Sequence, residues 1–190
     1  MEPQDTVKAQ LMSEEDLSRT LDRMARQIVD VLDVGPGSAE EVALIGMQTR
    51  GVYIARRLGR RIREVEGVTI GLGVLDATMY RDDFRLRMKQ PVVRTTDIPF
   101  DISGRHLVLV DDVLYTGRTV RAALDALMDM GRPASVTLLV IIDRGLHELP
   151  VHADIVGRSV PTMAGEEVRV RLREVDDVEG VWLVATPRAA

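Results

Sequence analysis

Leu107-Val-Leu-Val-Asp-Asp-Val-Leu-Tyr-Thr-Gly-Arg-Thr119 is the stretch on which the reading of the fold turns. Leu107–Val110 is the most strand-like run in the chain and delivers two adjacent carboxylates, Asp111 and Asp112, to a strand end. The pattern predicts a loop over 111–119 and then a helix to about Met130, stopped by Gly131 and Pro133. Thr116, Gly117, Arg118 and Thr119 open that helix. Unpaired amides at a helix start, with a glycine and two hydroxyls beside them, suit a phosphate. Adjacent carboxylates suit a magnesium ion or the hydroxyls of a ribose. Together they predict a sugar phosphate held at both ends. Either half alone reads as an ordinary helix cap preceded by surface acids; the combination does not. A Walker A loop is excluded, because no Gly-Lys-Ser/Thr is present.

Outward from this segment the pattern alternates. Ser13 and Asp16 form a capping-box pair, and Leu17, Leu21, Met24, Ile28 and Val31 recur at helical spacing, so 14–32 reads as an amphipathic helix. Val42–Ile45 is a buried strand, followed by a polar loop over 46–51 and a helix over roughly 52–65. Val68, Ile70, Leu72 and Val74 alternate as a strand. Val136–Ile142 is a further buried strand, and short strands are expected around 154–157, 167–173 and 181–185. Residues 1–12 read as a loose leader. Helix and apolar strand alternating from 42 to 142 predict an α/β fold on a mostly parallel sheet. Ligands of such sheets bind beyond the carboxyl ends of the strands, which directs attention to 46–51, 76–83, 111–119 and 143–150.

Composition narrows the function classes. The 190 residues fit one domain, and the absence of cysteine excludes a disulfide framework, a thiolate zinc site and a cysteine nucleophile. Hydrophobic residues at 45% and charged residues at 29% fit neither a disordered nor a membranous chain. No apolar run approaches the ~18 residues of a membrane-spanning helix, and MEPQDTVKAQ has no signal pattern, so a soluble cytoplasmic protein without a membrane partner is expected. A net charge of -5 argues against bulk nucleic-acid binding but permits a local basic face. His106, His147 and His152 have no metal-ligand spacing, and Tyr53, Phe84, Phe100 and Trp182 are too scattered for an RNA-stacking platform.

The 107–119 segment closely resembles the phosphoribosyl-diphosphate signature of type I phosphoribosyltransferases, two acids and then Thr-Gly-x-Thr after a hydrophobic strand. From about 14 to 178 the chain resembles the PyrR family, bifunctional pyrimidine-operon attenuation proteins with uracil phosphoribosyltransferase activity. The resemblance is carried by Thr49-Arg-Gly51, Asp76-Ala-Thr-Met-Tyr-Arg-Asp-Asp83, Asp125-Ala-Leu, Gly131-Arg-Pro133, Asp143-Arg-Gly145, Glu148-Leu-Pro150 and Val160-Pro-Thr162. It implies one type I phosphoribosyltransferase domain over 1–190, with a flexible hairpin over 77–103 and a small hood from the C-terminal strands, about 150–185. It implies that uracil and phosphoribosyl diphosphate give UMP and diphosphate, with Mg2+ as cofactor. Asp111 and Asp112 then hold the ribose and its metal, directly or through water. Thr116, Gly117, Arg118 and Thr119 take the 5′-phosphate, and Tyr115 joins the substrate-binding set. Thr49, Arg50, Gly51 and Arg81 receive the diphosphate, where glycine allows a close backbone and arginine offers forked donors. Arg144 and the C-terminal strands frame the base. Alone, Thr-Arg-Gly is a plain turn, and Tyr80–Asp83 an exposed hairpin of mixed charge. A homodimer or homotetramer is implied as well.

The family also binds leader mRNA in response to UMP or UTP, through the first helix and the loop after Asp143-Arg-Gly. Arg19, Arg23 and Arg26 fall at i, i+4 and i+7 on one exposed face of the first helix. Arg56, Arg57, Arg60, Arg61 and Arg63 on the second helix read as a solvated face. The implied RNA-binding set is Arg19, Arg23, Arg26, His147, His152 and Arg158. Here the chain departs from the pattern: Asp22 and Arg26 stand where the family commonly has threonine and histidine, Leu146-His147 where it has His-Arg, His152 where it has arginine, and Arg158 where it has lysine. A carboxylate facing phosphates costs affinity, and neutral histidine brings no full charge. Two alternatives follow: an RNA-binding regulator with vestigial catalysis, or a phosphoribosyltransferase that has lost RNA binding or uses another base.

Overall fold

The computed structural model describes residues 6–80 and 95–185. In chain order the strands are β1 (Thr6–Met12), β2 (Val42–Met47), β3 (Gly71–Leu75), β4 (His106–Leu114), β5 (Ser135–Asp143), β6 (Ile155–Ser159), β7 (Glu166–Arg171) and β8 (Gly180–Ala185). The α-helices are α1 (Glu14–Leu32), α2 (Arg50–Glu66), α3 (Arg118–Met130) and the single turn α4 (Arg173–Asp176). A five-stranded sheet in the order β3-β2-β4-β5-β6 carries the body, and its pairs are all parallel. An antiparallel sheet in the order β1-β8-β7 forms a hood over one end.

The centre of the sheet is buried on both faces, which is why β2 and the middles of β4 and β5 are continuous apolar runs. Leu44, Val108, Val110, Leu139 and Ile141 meet Leu17, Leu21, Met24 and Ile28 of α1 and Ile54, Leu58 and Ile62 of α2. Their strand neighbours Ala43, Ile45, Leu107, Leu109 and Val140 face the alanine-rich side of α3, Ala122, Ala123 and Ala126. The predicted capping box on α1 is present, with Ser13 Oγ accepting from the Asp16 amide at 3.1 Å and Asp16 Oδ2 accepting from the Ser13 amide at 3.0 Å. Val31 does not complete the apolar stripe; it is 63% exposed, and Leu32 and Val34 close that end of the core.

Three further expectations are corrected. Residues 6–12 are not a loose leader. Thr6–Met12 pairs along β8, so backbone hydrogen bonds order a segment whose side chains are mostly exposed. The hood is therefore built from both ends of the chain, and Ile155–Ser159, expected in it, is instead the fifth strand of the main sheet. Of the 77–103 hairpin, the described ends belong to the body: Val74 and Asp97 exchange backbone hydrogen bonds of 2.8 and 2.9 Å, and Ile102 is buried. Residues 81–94, with Arg81, lie outside the described residues.

Candidate functional site

β4 runs further than its apolar residues suggest. Pairing with β5 continues through Val113 opposite Ile142 and Leu114 opposite Asp143, so Asp111 and Asp112 lie inside the strand rather than in a loop. Successive strand residues face opposite sides. Asp111 lines a cavity of about 170 Å3 with Leu114, Tyr115, Thr116, Gly117 and Thr119. Asp112 lines a larger one, about 520 Å3, beneath the hood, with Arg50, Arg169, Arg171 and Asp176. Each carboxylate is steadied by the next amide: Asp112 N donates to Asp111 Oδ1 at 2.9 Å and Val113 N to Asp112 Oδ1 at 3.0 Å.

The smaller cavity is shaped by the start of α3. Gly117 caps the helix at φ +86°, a conformation that disfavours a side chain. Thr116 Oγ1 accepts from the Arg118 amide at 3.3 Å. Thr116, Gly117 and Thr119 line the cavity. The Arg118 guanidinium turns to Glu148 Oε2 at 2.8 Å. The adjoining loop is tied to this cradle by backbone bonds: the Arg144 amide donates to Leu114 O at 3.1 Å, and the Glu148 and Leu149 amides donate to Thr116 O at 3.0 and 3.1 Å.

At the β2–α2 turn, Gly46 and Met47 belong to the strand, and the Gln48–Thr49 peptide is cis. A Cβ on Gly51 would stand 2.3 Å from Val110 O, so the approach of α2 to β4 requires a glycine here. Arg50 grips Asp176 of α4 through both Nε, at 3.0 Å, and Nη2, at 2.6 Å. That carboxylate holds the Arg50 guanidinium above its usual range, against the opposing effect of burial. Burial pushes the Asp176 carboxyl up, but the Arg50 hydrogen bonds and the Leu172 amide outweigh it and leave Asp176 below its ordinary value.

Arg144, at the end of β5, is buried, donating to Thr162 Oγ1 at 3.0 Å and to Glu166 O at 2.6 Å. Its guanidinium lies 4.0 Å from the centre of the Tyr115 ring, so two residues expected at the substrate do meet.

The arginine face is a separate region. Arg19, Arg23 and Arg158 converge on a cavity of about 460 Å3 with Leu11, Met12, Asp16, Thr20 and Gly157, while Arg26 lines a neighbouring one with Asp22, Gln27 and Asp30. Arg19 donates to Glu15 and Asp16, Arg23 to Gly157 O at 2.7 Å, and Arg158 to Leu11 O. Asp22 pairs with Arg61 of α2. His147 and His152 do not line this cavity; their rings meet edge-on at 5.8 Å, and His147 Nε2 lies 2.9 Å from Asp143 Oδ1.

Sequence reasoning missed Arg169, Arg171 and Asp176. The signal was present: in Glu166-Glu-Val-Arg-Val-Arg171 the buried Val168 and Val170 define one strand face, leaving Arg169 and Arg171 together on the other.

Residues 9–174 match the phosphoribosyl transferase domain model. "Bifunctional protein PyrR" of Pelotomaculum thermopropionicum is 51% identical over 179 residues, covering 94% of this chain and 97% of that protein. The protein of the same name from Chloroflexus aurantiacus is 52% identical over 175 residues, covering 92% and 94%. Among solved structures, a hypoxanthine phosphoribosyltransferase from Trypanosoma cruzi superposes with a TM-score of 0.73 at 19% identity, over 95% of this chain and 96% of that one, a likeness of fold.

Proposed function

This chain belongs to the PyrR family of phosphoribosyl transferase domain proteins, and from that membership we propose that its cleft converts uracil and phosphoribosyl diphosphate to UMP and diphosphate. The bond from the anomeric carbon to diphosphate breaks with its electron pair leaving on the diphosphate oxygen. The bond to uracil N1 forms, and the N1 proton is released. The carbon is cation-like between these events, so the protein's work is positioning and charge stabilisation. Thr116, Gly117 and Thr119 hold the 5′-phosphate, with Arg118 beside them. Asp111 and Asp112, at the carboxyl end of β4, hold the ribose and its metal-bound shell, directly or through water. Thr49 and Arg50 receive the diphosphate, and Tyr115 and Arg144 border the base.

Two adjacent carboxylates are hard oxygen donors, and among the described residues no group of three or more acidic, histidine or cysteine side chains is placed to hold a metal ion by itself. That donor set fits a magnesium ion completed largely by substrate oxygens and water, which Asp111 and Asp112 would reach directly or through water. Mg2+ bound there offsets negative charge on the diphosphate. The family's homodimeric or homotetrameric assembly and its cytoplasmic setting come with this reading. Among the described residues no helix is long and apolar enough to cross a membrane.

The observation that carries the reading is the pair of cavities on opposite sides of Asp111-Asp112, a phosphate-sized cradle and an arginine-lined space under the hood. A turnover screen with uracil, adenine, guanine, hypoxanthine and orotate tests it. UMP formation from uracil alone is expected; turnover of another base with none of uracil overturns it.

The second function is UMP-dependent binding of pyrimidine-leader RNA. It is favoured by the backbone bonds from Glu148 and Leu149 to Thr116 O, which connect the phosphate cradle to the loop that the family uses for RNA. Leader-RNA affinity measured with and without UMP tests it, and an affinity indifferent to both RNA sequence and UMP removes it.

A further inference from the structure

The cavity beneath the hood receives arginines from two sides. Arg50 enters from the start of α2, and Arg169 and Arg171 from β7. The arginines are matched in place. Arg50 holds Asp176, Arg169 Nη2 is 3.1 Å from Glu167 Oε2, and the Arg171 guanidinium lies 5.7 Å from the centre of the Trp182 ring. Trp182 is the β8 partner of Arg169, so one aromatic ring lies beside both hood arginines.

The hood is anchored independently of this cavity. Arg57 of α2 bonds both Glu174 and Glu179. Glu179 is nearly buried, with its side chain 7% exposed. α4 and the turn into β8 are therefore held against the body by contacts that do not involve the β7 arginines. A guanidinium fork matches phosphate oxygens in pairs, and a phosphate dianion competes well against a single carboxylate for it.

We propose that Arg169 and Arg171 form the hood half of the diphosphate subsite, receiving the leaving group from the side opposite Arg50. This rests on reading the cleft as a phosphoribosyltransferase site and extends it to residues outside the signature loops. Before substrate arrives, Glu167 and Asp176 offset part of the charge of the arginine cluster and make it less costly to assemble. Diphosphate displaces them and takes up the forks as its charge grows. UMP carries no diphosphate and makes no use of Arg169 or Arg171.

Calorimetric titration of the full chain with magnesium diphosphate, and separately with UMP, tests this without depending on which base is turned over. In the R169Q/R171Q variant, diphosphate affinity should fall at least about tenfold, the scale of a lost charge-assisted contact, while UMP affinity stays within about twofold. The R169K/R171K variant should recover part of the loss, since charge returns without the fork. In steady state, the glutamine variant should raise KM for phosphoribosyl diphosphate more than KM for uracil. Unchanged diphosphate affinity overturns the proposal. So does a parallel loss of UMP affinity, which marks a disturbed hood instead of a missing subsite. If wild type fails to turn over uracil but its diphosphate binding still depends on these arginines, the subsite stands and the base assignment falls.

Discussion

At the end of β4, carboxylates and arginines line two cavities on opposite sides of one strand, and fixed backbone aims each group. Along α1 and β6, arginines are equally dense, but Arg19 donates to Glu15 and Asp16, Arg23 to Gly157 O, and Arg158 to Leu11 O, on side chains reaching across open surface. The first region is arranged before its ligand arrives, which is where electrostatics act most strongly. Both regions exchange internal partners for phosphates, but the second does so on exposed side chains. Each exposed pair is worth only about 0.2–1 kcal/mol, so the exchange is possible but lowers the net gain per contact. Substitutions in the cleft should therefore act steeply and those on the α1 face gradually.

The steepest effect belongs to Asp112. Asp112→Asn removes a full charge beside Arg50, and a charged hydrogen bond contributes about 1.5–3 kcal/mol, so kcat/KM for UMP synthesis should fall at least about tenfold. Steady-state kinetics check this. Activity close to wild type in the Asp111→Asn/Asp112→Asn double variant would erase the contrast between the two regions.

The next effect concerns the hood that closes the larger cavity. Glu179→Gln leaves Arg57 with Glu174 alone, so a loss of about 2 kcal/mol in unfolding free energy is expected, below the ~3–5 kcal/mol of a fully buried broken pair. Arg19→Gln, on the exposed face, should change stability by less than about 0.5 kcal/mol. Urea denaturation measures both, and equal losses would mean that the two regions hold their charges alike.

A pH series separates them further. Asp176 has its folded pKa below the ordinary 3.8, so its contribution to stability is present above that value and is lost as pH falls through the lower folded pKa. The stability difference between wild type and Asp176→Asn should be full at neutral pH and shrink as the solution is acidified below 3.8. A difference that grows on acidification would reverse the sign and dismiss the Arg50–Asp176 latch as a source of stability.

The same contrast explains which parts could be read in advance. α1 begins and ends where its capping box and apolar spacing place it, because both signals are local. The 107–119 segment revealed its chemistry because strand, acids and helix start are contiguous. It misled on one point, since an acid looks like the end of a strand until the β5 pairing is known. β1 was missed because its order comes from pairing with β8 at the far end of the chain, and strand formation depends strongly on such partners. Arg169 and Arg171 show the period of a strand, but only the folding of the hood over β4 sets them opposite Arg50. Asp22 looked like an uncompensated negative charge for the equivalent reason, Arg61 being on another helix.

That pairing refines the smallest expected effect. Read from the sequence, Asp22 weakens RNA binding by repelling phosphates, and Asp22→Thr should strengthen it. With Arg61 on Asp22 and its Nη2 also donating to Ser18 Oγ at 3.1 Å, much of the repulsion is already neutralised. Asp22→Thr therefore acts mainly by releasing Arg61 toward the groove, and the log–log dependence of leader-RNA affinity on salt should steepen by about one contact. Arg23→Ala should reduce the slope by about one contact, with uracil turnover unchanged, because Arg23 holds β6 carbonyls far from the Asp111–Asp112 pair. RNA affinity against salt, for wild type and both variants, checks the two expectations. If Asp22→Thr raises affinity without steepening the salt slope, simple repulsion governs and Arg61 takes no part.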